Sequence, residues 1–302
     1  MTLVHHGLGP EGNAVEHAPK VENQIADSMI EYEIEPQAWW RISFREYWRY
    51  RELFYFLAWR DILVKYKQMV LGVLWAFLQP LVLMVVLTVF WSHVIRQDTN
   101  NLPYPIFAYS GLILWGLFAS AVSNAAGSMI ENVNLIKKVY FPRAIIPLSA
   151  LVVAIFDFGI TLIIFMLLTC YYHMASSFLR LICLLPVCIG IVIFSAMGLG
   201  LALAAANVKY RDFRYVVPFL LQVLFFATPV IFPVSIFEAQ PVIAGILLAN
   251  PVSCAIDLLR GALVNEPILW GRVLIAIFTA GILFPAGFAV FKKVETDCAD
   301  PL

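Results

Sequence analysis

Charged side chains are scarce in this 302-residue chain: Asp, Glu, Lys and Arg make up 13% of it, about half the share a soluble globular domain carries. That shortage excludes an ordinary water-soluble fold. Cysteine is sparse too. Cys170, Cys183, Cys188, Cys254 and Cys298 form no C-x-x-C pair and no zinc-like spacing, so they read as small apolar fillers rather than a disulfide or metal framework. Catalytic signatures are missing as well. Without G-x-x-x-x-G-K-[ST] the chain cannot cradle ATP phosphates in the P-loop manner, and no G-x-S-x-G or H-E-x-x-H supplies a hydrolase nucleophile or a zinc pair. Gly7-Leu-Gly-Pro-Glu-Gly12 fits a dinucleotide fingerprint by letter, yet Pro10 interrupts it and no strand precedes it. The first forty residues are polar and acidic without an apolar h-region, so no cleavable signal peptide is expected.

Apolar residues, at 62%, fill most of what remains. The fold class that follows is an all-α polytopic membrane protein. Each crossing needs about 20 apolar residues, which places six spans near 69–95, 105–127, 144–172, 180–206, 214–233 and 271–291. Pro80 interrupts the first; Pro218, Pro229 and Pro233 interrupt the fifth. An acidic segment over 1–38, expected to be disordered, precedes them. Residues 39–67 then interleave Trp39, Trp40, Trp48, Tyr55 and Trp59 with Arg41, Arg45, Arg49 and Arg51. That pattern predicts an amphipathic helix in the membrane interface, rings at headgroup depth and cations toward phosphate. Its direct continuation into a span argues against nucleic acid as a partner. The transmembrane domain runs over 68–293, and 294–302 is a tail.

Cation placement sets the orientation. With both termini cytoplasmic, sixteen of the twenty Lys and Arg fall inside and only Arg96, Arg180, Arg260 and Arg272 outside, as the positive-inside rule demands. Between the second and third spans, 131–147 carries Lys137, Lys138 and Arg143 with Tyr140, Phe141, Pro142 and Pro147. A short helix over 132–143, lying across the inner face, is the expectation, and it is where a soluble partner can push. Segment 234–268 is apolar in two pieces, each too short to cross, and holds Asn250-Pro251. A re-entrant pair of short helices entering from the outer face fits it, since irregular backbone at membrane depth survives only inside protein or beside a wet cavity. Asp157 is the lone charge inside the third span. It can serve a pathway or proton relay, or tie one helix to another; with no second buried acid or base the tie is favoured, and Asp157→Asn then keeps transport nearly intact.

Five stretches carry a resemblance: Leu71-Gly-Val-Leu-Trp-Ala-Phe-Leu-Gln-Pro80, Asn134-Leu-Ile-Lys-Lys-Val-Tyr-Phe-Pro-Arg143, Lys209-Tyr-Arg-Asp-Phe-Arg-Tyr215, Thr228-Pro-Val-Ile-Phe-Pro233, and Asn250-Pro251 with Arg260. In order and spacing the chain resembles the membrane subunit of type-2 ABC exporters for O-antigen, capsular polysaccharide and teichoic acid. The resemblance implies a homodimeric permease of the bacterial inner membrane, driven by two copies of a separate ATPase that binds ATP and Mg, with no cofactor on this chain. It implies export of a glycan on polyprenyl diphosphate, and casts 132–143 as the coupling helix, with Leu135, Lys137, Lys138, Tyr140, Phe141, Pro142 and Arg143 toward the ATPase. Arg41, Arg45 and Arg49 suit the diphosphate headgroup, although plain interfacial anchoring accounts for them too. Pro229, Pro233, Asn250, Pro251 and Arg260 fall at the outer gate. The alternative within the family is an exporter of a drug or other small amphipathic molecule. A membrane-embedded transferase would need an acid or His cluster, and a secondary transporter paired intramembrane charges and an internal repeat; neither is visible.

Overall fold

The computed structural model describes residues 44–67, 72–94, 102–174, 178–210, 212–237 and 249–297, with isolated positions 240, 245 and 247. All lie in one compact unit, Ile42–Leu302. The expectations for 1–38, and for Arg41, lie outside the described residues.

Helices joined by short turns make up the described residues, which contain no strand. In chain order they form α1 (Phe44–Arg49), α2 (Arg51–Lys67), α3 (Gly72–Val94), α4 (Tyr104–Glu131), the single turn α5 (Val133–Ile136), α6 (Ile145–Tyr171), α7 (Phe178–Lys209), α8 (Phe213–Ala227), a 3₁₀ turn at Val234–Phe237, α9 (Pro251–Val264) and α10 (Trp270–Asp297). Four of them, α4, α6, α7 and most of α10, are long and apolar enough to cross a membrane. The expected first and fifth spans correspond to α3 and α8, where only the shorter apolar stretches Leu74–Phe90 and Phe213–Ala227 qualify. At 1.5 Å per residue, α8 covers roughly 22 Å, short of a hydrocarbon core of about 30 Å. It stops because Thr228 turns extended and Pro229 cannot continue the helix. Pro80 and Pro218 sit inside their helices without ending them.

At the centre lies α4, with most of its side chains buried from Ile106 to Met129. It packs against α6, α7, α9 and α3. Lipid is as apolar as leucine, so this packing rests on close fit rather than on escape from water. Small residues supply the fit. A Cβ built on Gly200 would stand 2.9 Å from that of Ala125, and one on Gly287 would fall 1.9 Å from the Gly198 carbonyl oxygen. The backbones of α7 and α10 therefore touch at Gly198 and Gly287. Where α4 crosses α6, Tyr109 stacks on Phe165, both fully buried.

A second apolar cluster gathers at one end of the bundle. There Leu57 of α2 and Phe141 meet the start of α6 (Ile145, Ile146), the end of α7 (Leu201, Ala204) and Phe288 and Phe291 of α10. From this cluster α2 climbs beside α6, and its last turn reaches Asp157, roughly 18 Å along α6 from Ile145. The aromatic-rich helix is thus packed along a neighbour and is not spread only over the bundle's end.

Candidate functional site

Three places gather the residues singled out by sequence. The first is the turn between α4 and α6. The helix expected over 132–143 is a single turn here, Val133–Ile136, followed by bends through Arg143. Val139 is β-branched and Pro142 disfavours helical backbone before it, so the helix cannot propagate. The chain folds back so that two faces result. Lys137, Lys138, Val139 and Tyr140 stand out, Tyr140 with 84% of its surface exposed. Phe141 and Pro142 turn in, and Phe141 packs in the end cluster with Leu135 beside it. Of the two rings assigned to partner contact, only Tyr140 is placed to make one; Phe141 braces the turn from beneath. The Arg143 backbone N–H donates to Glu295 of α10 at 3.3 Å, and Glu295 also pairs with Lys292 at 2.8 Å. Arg60 of α2 donates to Asn132 Oδ1 at 2.6 Å, tying α2 to the turn as well.

At the other end of the bundle the second place forms around Arg260 on α9. Asn250 caps this helix, its side chain accepting from the Val252 N–H at 3.0 Å, and Pro251 occupies the first turn, where no N–H is needed. The Arg260 side chain is buried, and its partners are uncharged. Nη1 donates to the Pro229 carbonyl at 2.8 Å; Nη2 donates to the carbonyls of Val230 at 2.7 Å and Phe107 at 3.0 Å; Nε reaches Ser110 Oγ at 3.4 Å. Beneath the guanidinium lies the Phe107 ring, 3.5 Å from centroid to Cζ. The planar fork of donors is what lets one cation satisfy several carbonyls. Gly111 makes room, because a Cβ there would stand 2.8 Å from both Nη2 and the Val230 oxygen. Asn250 Nδ2 further donates to Thr228 Oγ1 at 3.0 Å. Pro229, Asn250, Pro251 and Arg260 are thus brought together at the turn after α8, and Pro233 follows, buried, just before the 3₁₀ turn.

The third place is a cavity of about 590 Å³ bounded by α2, α3, α4, α6 and α8. Asp157 lies on its wall and accepts from Lys65 Nζ at 2.6 Å, from the Tyr66 hydroxyl, and from Ser120 at 3.4 Å. Trp75, Trp115 and Phe225 supply aromatic faces to the same space, and Gln79 and Gln222 supply amides. Sequence reasoning assigned Lys65 to the interfacial helix and found no partner for Asp157. Two cations, Lys65 and Lys67, closing an aromatic helix and a lone acid in a later span were the available signal, but only the climb of α2 along α6 brings Lys65 and Asp157 together.

Of the headgroup candidates, Arg49 is exposed at the end of α1, and nothing is described of the Arg45 side chain. Beside them Trp48 is exposed, with the Arg51 guanidinium 5.6 Å from its ring centroid, and Tyr55 and Trp59 stack in parallel on the outer face of α2.

Residues 52–264 match the family described as "ABC-2 type transporter". The chain belongs to that family. The ABC-2 match covers α2 through α9, so the turn, the Arg260 cluster and the cavity all fall within it. Among relatives, the O-antigen export system permease protein RfbA of Myxococcus xanthus is 32% identical over 208 residues, 69% of this chain and 78% of that protein. A protein of the same name from Klebsiella pneumoniae is 28% identical over 80% of this chain and 92% of its own length. The polysialic acid transport protein KpsM of Escherichia coli is 25% identical over 78% of this chain and 91% of its own. A multi-pass membrane protein of the ABC-2 transporter family is what these findings establish.

Proposed function

We propose that this chain is the permease subunit of an ATP-driven exporter that carries a polysaccharide, linked to a polyprenyl diphosphate lipid, across the bacterial inner membrane. The observation that carries the reading is the likeness, over most of the chain, to permeases named for O-antigen export and polysialic acid transport. In this reading α3 and α8 complete six spans with both termini cytoplasmic, and α9 belongs to a re-entrant pair at the outer gate. Two copies build the conduit. Two copies of a separate ATPase, which hold ATP and Mg, sit beneath.

The geometry suits mechanical drive. An exposed cationic and aromatic turn, braced from within by Phe141, can receive a push and pass it on without collapsing. Two rigid routes leave it: α6 continues directly from Arg143, and Arg60 links the turn to α2, whose last residues line the cavity. ATP-driven closure of the partner would thereby move α2 and α6 together. Arg260, clamping the turn after α8 to α9 and to the start of α4, makes the far end one solid block that must shift as a unit. In this reading Arg41, Arg45 and Arg49 gather the diphosphate headgroup by charge-assisted hydrogen bonds.

The test is deletion and complementation in the source organism. Loss of the chain should strand lipid-linked glycan inside the cell and strip it from the surface, and the intact chain should restore it. A deletion strain with a normal glycan coat would overturn the reading.

A further inference from the structure

The first turn of α6 has no cap of its own. Ala144 precedes the helix and makes no side-chain hydrogen bond, and no acid stands in the first turn. The positive end of a 27-residue helix therefore goes unanswered by its own segment. A carboxylate arrives from 152 positions further along the chain: Glu295 Oε1, in the last turn of α10, accepts the Arg143 N–H at 3.3 Å. We infer that Glu295 is a positioning residue for transport. By capping α6 from α10 it joins the exposed turn to α10, and so opens a third route, beside α6 and α2, along which a push on the turn reaches α9 at the far end. The inference rests on the export reading above and adds to it a residue and a path.

Three observations set this contact apart from an ordinary surface tie. First, Ser, Thr, Asp or Asn at position 144 would answer the helix end locally and leave α10 independent. A cap lent by α10 stabilises α6 only while the two helices keep their register. Second, the carboxylate is enclosed. The Glu295 side chain is 16% exposed and its Oε2 is sealed from solvent, with Lys292 Nζ at 2.8 Å as a charge contact rather than a directed hydrogen bond. Exposed ion pairs are weak and easily rearranged, whereas an enclosed carboxylate holding a backbone N–H keeps its place. Around it Phe288 and Phe291 of α10 pack with Phe141, Ile145 and Ile146, so the brace beneath the turn is partly α10 itself. Third, α10 is continuous from Trp270 to Asp297 despite Pro285, roughly 42 Å at 1.5 Å per residue, and its outer end is engaged too. There Arg272 pairs with Asp257 of α9 at 3.6 Å, and Val273 and Ala276 are buried in the main core. Helix α9 carries Arg260, which clamps the turn after α8. Between the two ends, α10 meets α7 backbone to backbone at Gly198 and Gly287, a contact without interlocked side chains along which packed helices can shear.

The experiment uses the full exporter, permease and ATPase together, in cells that make the glycan. Glu295→Ala should leave co-purification of the ATPase and its ATP hydrolysis at wild-type levels while surface glycan falls roughly tenfold. A merely stabilising contact would not separate hydrolysis from export in this way. Glu295→Gln still presents Oε1 to the Arg143 N–H and should restore export; Lys292→Ala should resemble the wild type. At the outer end, with the exposed native cysteines replaced, Glu266→Cys in its exposed turn should change its rate of reaction with an impermeant maleimide when ATP and vanadate trap the ATPase. Adding Glu295→Ala should abolish that change. If Glu295→Ala does not accumulate in the membrane, Glu295→Asp, which keeps the charge but withdraws the carboxylate by one methylene, takes its place with the same expected results. Wild-type export by the variant, release of the ATPase from it, failure of Glu295→Gln to restore export, or labelling at Glu266→Cys that ignores ATP or still follows it in the variant would overturn the inference. With any of those results, glycan lost on deleting the chain leaves the export reading standing and removes only this route. A glycan coat that persists after deletion removes both.

Discussion

At Arg260, one side chain replaces the capping and turn hydrogen bonds that several residues would otherwise have to make. Arg260→Ala leaves the carbonyls of Pro229 and Val230 without their donor, while that of Phe107 keeps the Ser110 hydroxyl. Each orphaned carbonyl should cost about 1 kcal/mol or more, so the expected loss is roughly 2 kcal/mol, seen as a lowered melting temperature in detergent. Arg260→Lys keeps the charge but not the fork, and should recover only part of it. Gly287 carries a second residue-scale expectation. A methyl there drives into the Gly198 backbone, so Gly287→Ala should cost about 1–3 kcal/mol as overpacking does, while Gly281→Ala on the same helix, with open space at its Cβ, should be neutral or mildly stabilising. Equal behaviour of the two in a thermal scan would mean that α7 and α10 do not touch there. Residue pairs of this kind are what the sequence could not reveal. Pro229, Asn250 and Arg260 were recognisable as oddities in an apolar stretch, but that they meet, and that Arg260 is held by backbone carbonyls, depends on how α9 folds back on α4. The same holds for Lys65 and Asp157, which lie 92 residues apart.

Among the elements, the long apolar runs were legible, because any segment of such composition must bury its backbone hydrogen bonds in a helix. The turn between α4 and α6 was legible as a place but not as a shape. Charge, rings and prolines announced a break; they did not announce that Tyr140 would point out and Phe141 in, since both are aromatic neighbours on non-helical backbone. That difference separates two outcomes. Tyr140→Ala should leave the chain's melting temperature unchanged and weaken co-purification of the ATPase. Phe141→Ala removes a buried ring from the end cluster and should destabilise the chain itself, by about 3–5 kcal/mol if the site cannot collapse. Co-purification and thermal scans on the two variants read both quantities. If Phe141→Ala leaves stability intact while Tyr140→Ala does not, the two faces of the turn have been assigned the wrong way round. The interfacial helix was half legible for a related reason. Its rings and cations were evident, with Trp48, Tyr55, Phe56 and Trp59 on its outer face. Its climb along α6 is set by Leu57 and Lys65, which composition alone does not distinguish from their neighbours.

Over the whole molecule, the distribution of cations and the two polar ends of the bundle must agree on one orientation. The turn that holds Lys137 and Lys138 and the C-terminal end of α10, with Lys292 and Lys293, sit at the same end, joined through Glu295. Arg180, Arg272 and Asp257 sit at the end where α9 meets α10, with Arg180 donating to the Glu266 carbonyl and Arg272 paired to Asp257 at 3.6 Å. The positive-inside bias turns this geometry into a direction, because Lys and Arg in short flanking segments stay on the cytoplasmic side. Single cysteines introduced at Tyr140 and at Glu266, both in exposed turns, should therefore react oppositely with a membrane-impermeant maleimide: Glu266→Cys in intact spheroplasts, Tyr140→Cys only after the membrane is opened. The native Cys170 and Cys183 are exposed and must first be replaced, since either could label on its own. Labelling of Tyr140→Cys from outside would invert the molecule, put the turn out of reach of any ATP-hydrolysing partner, and leave the braced turn, the α2 link and the cavity without a source of motion.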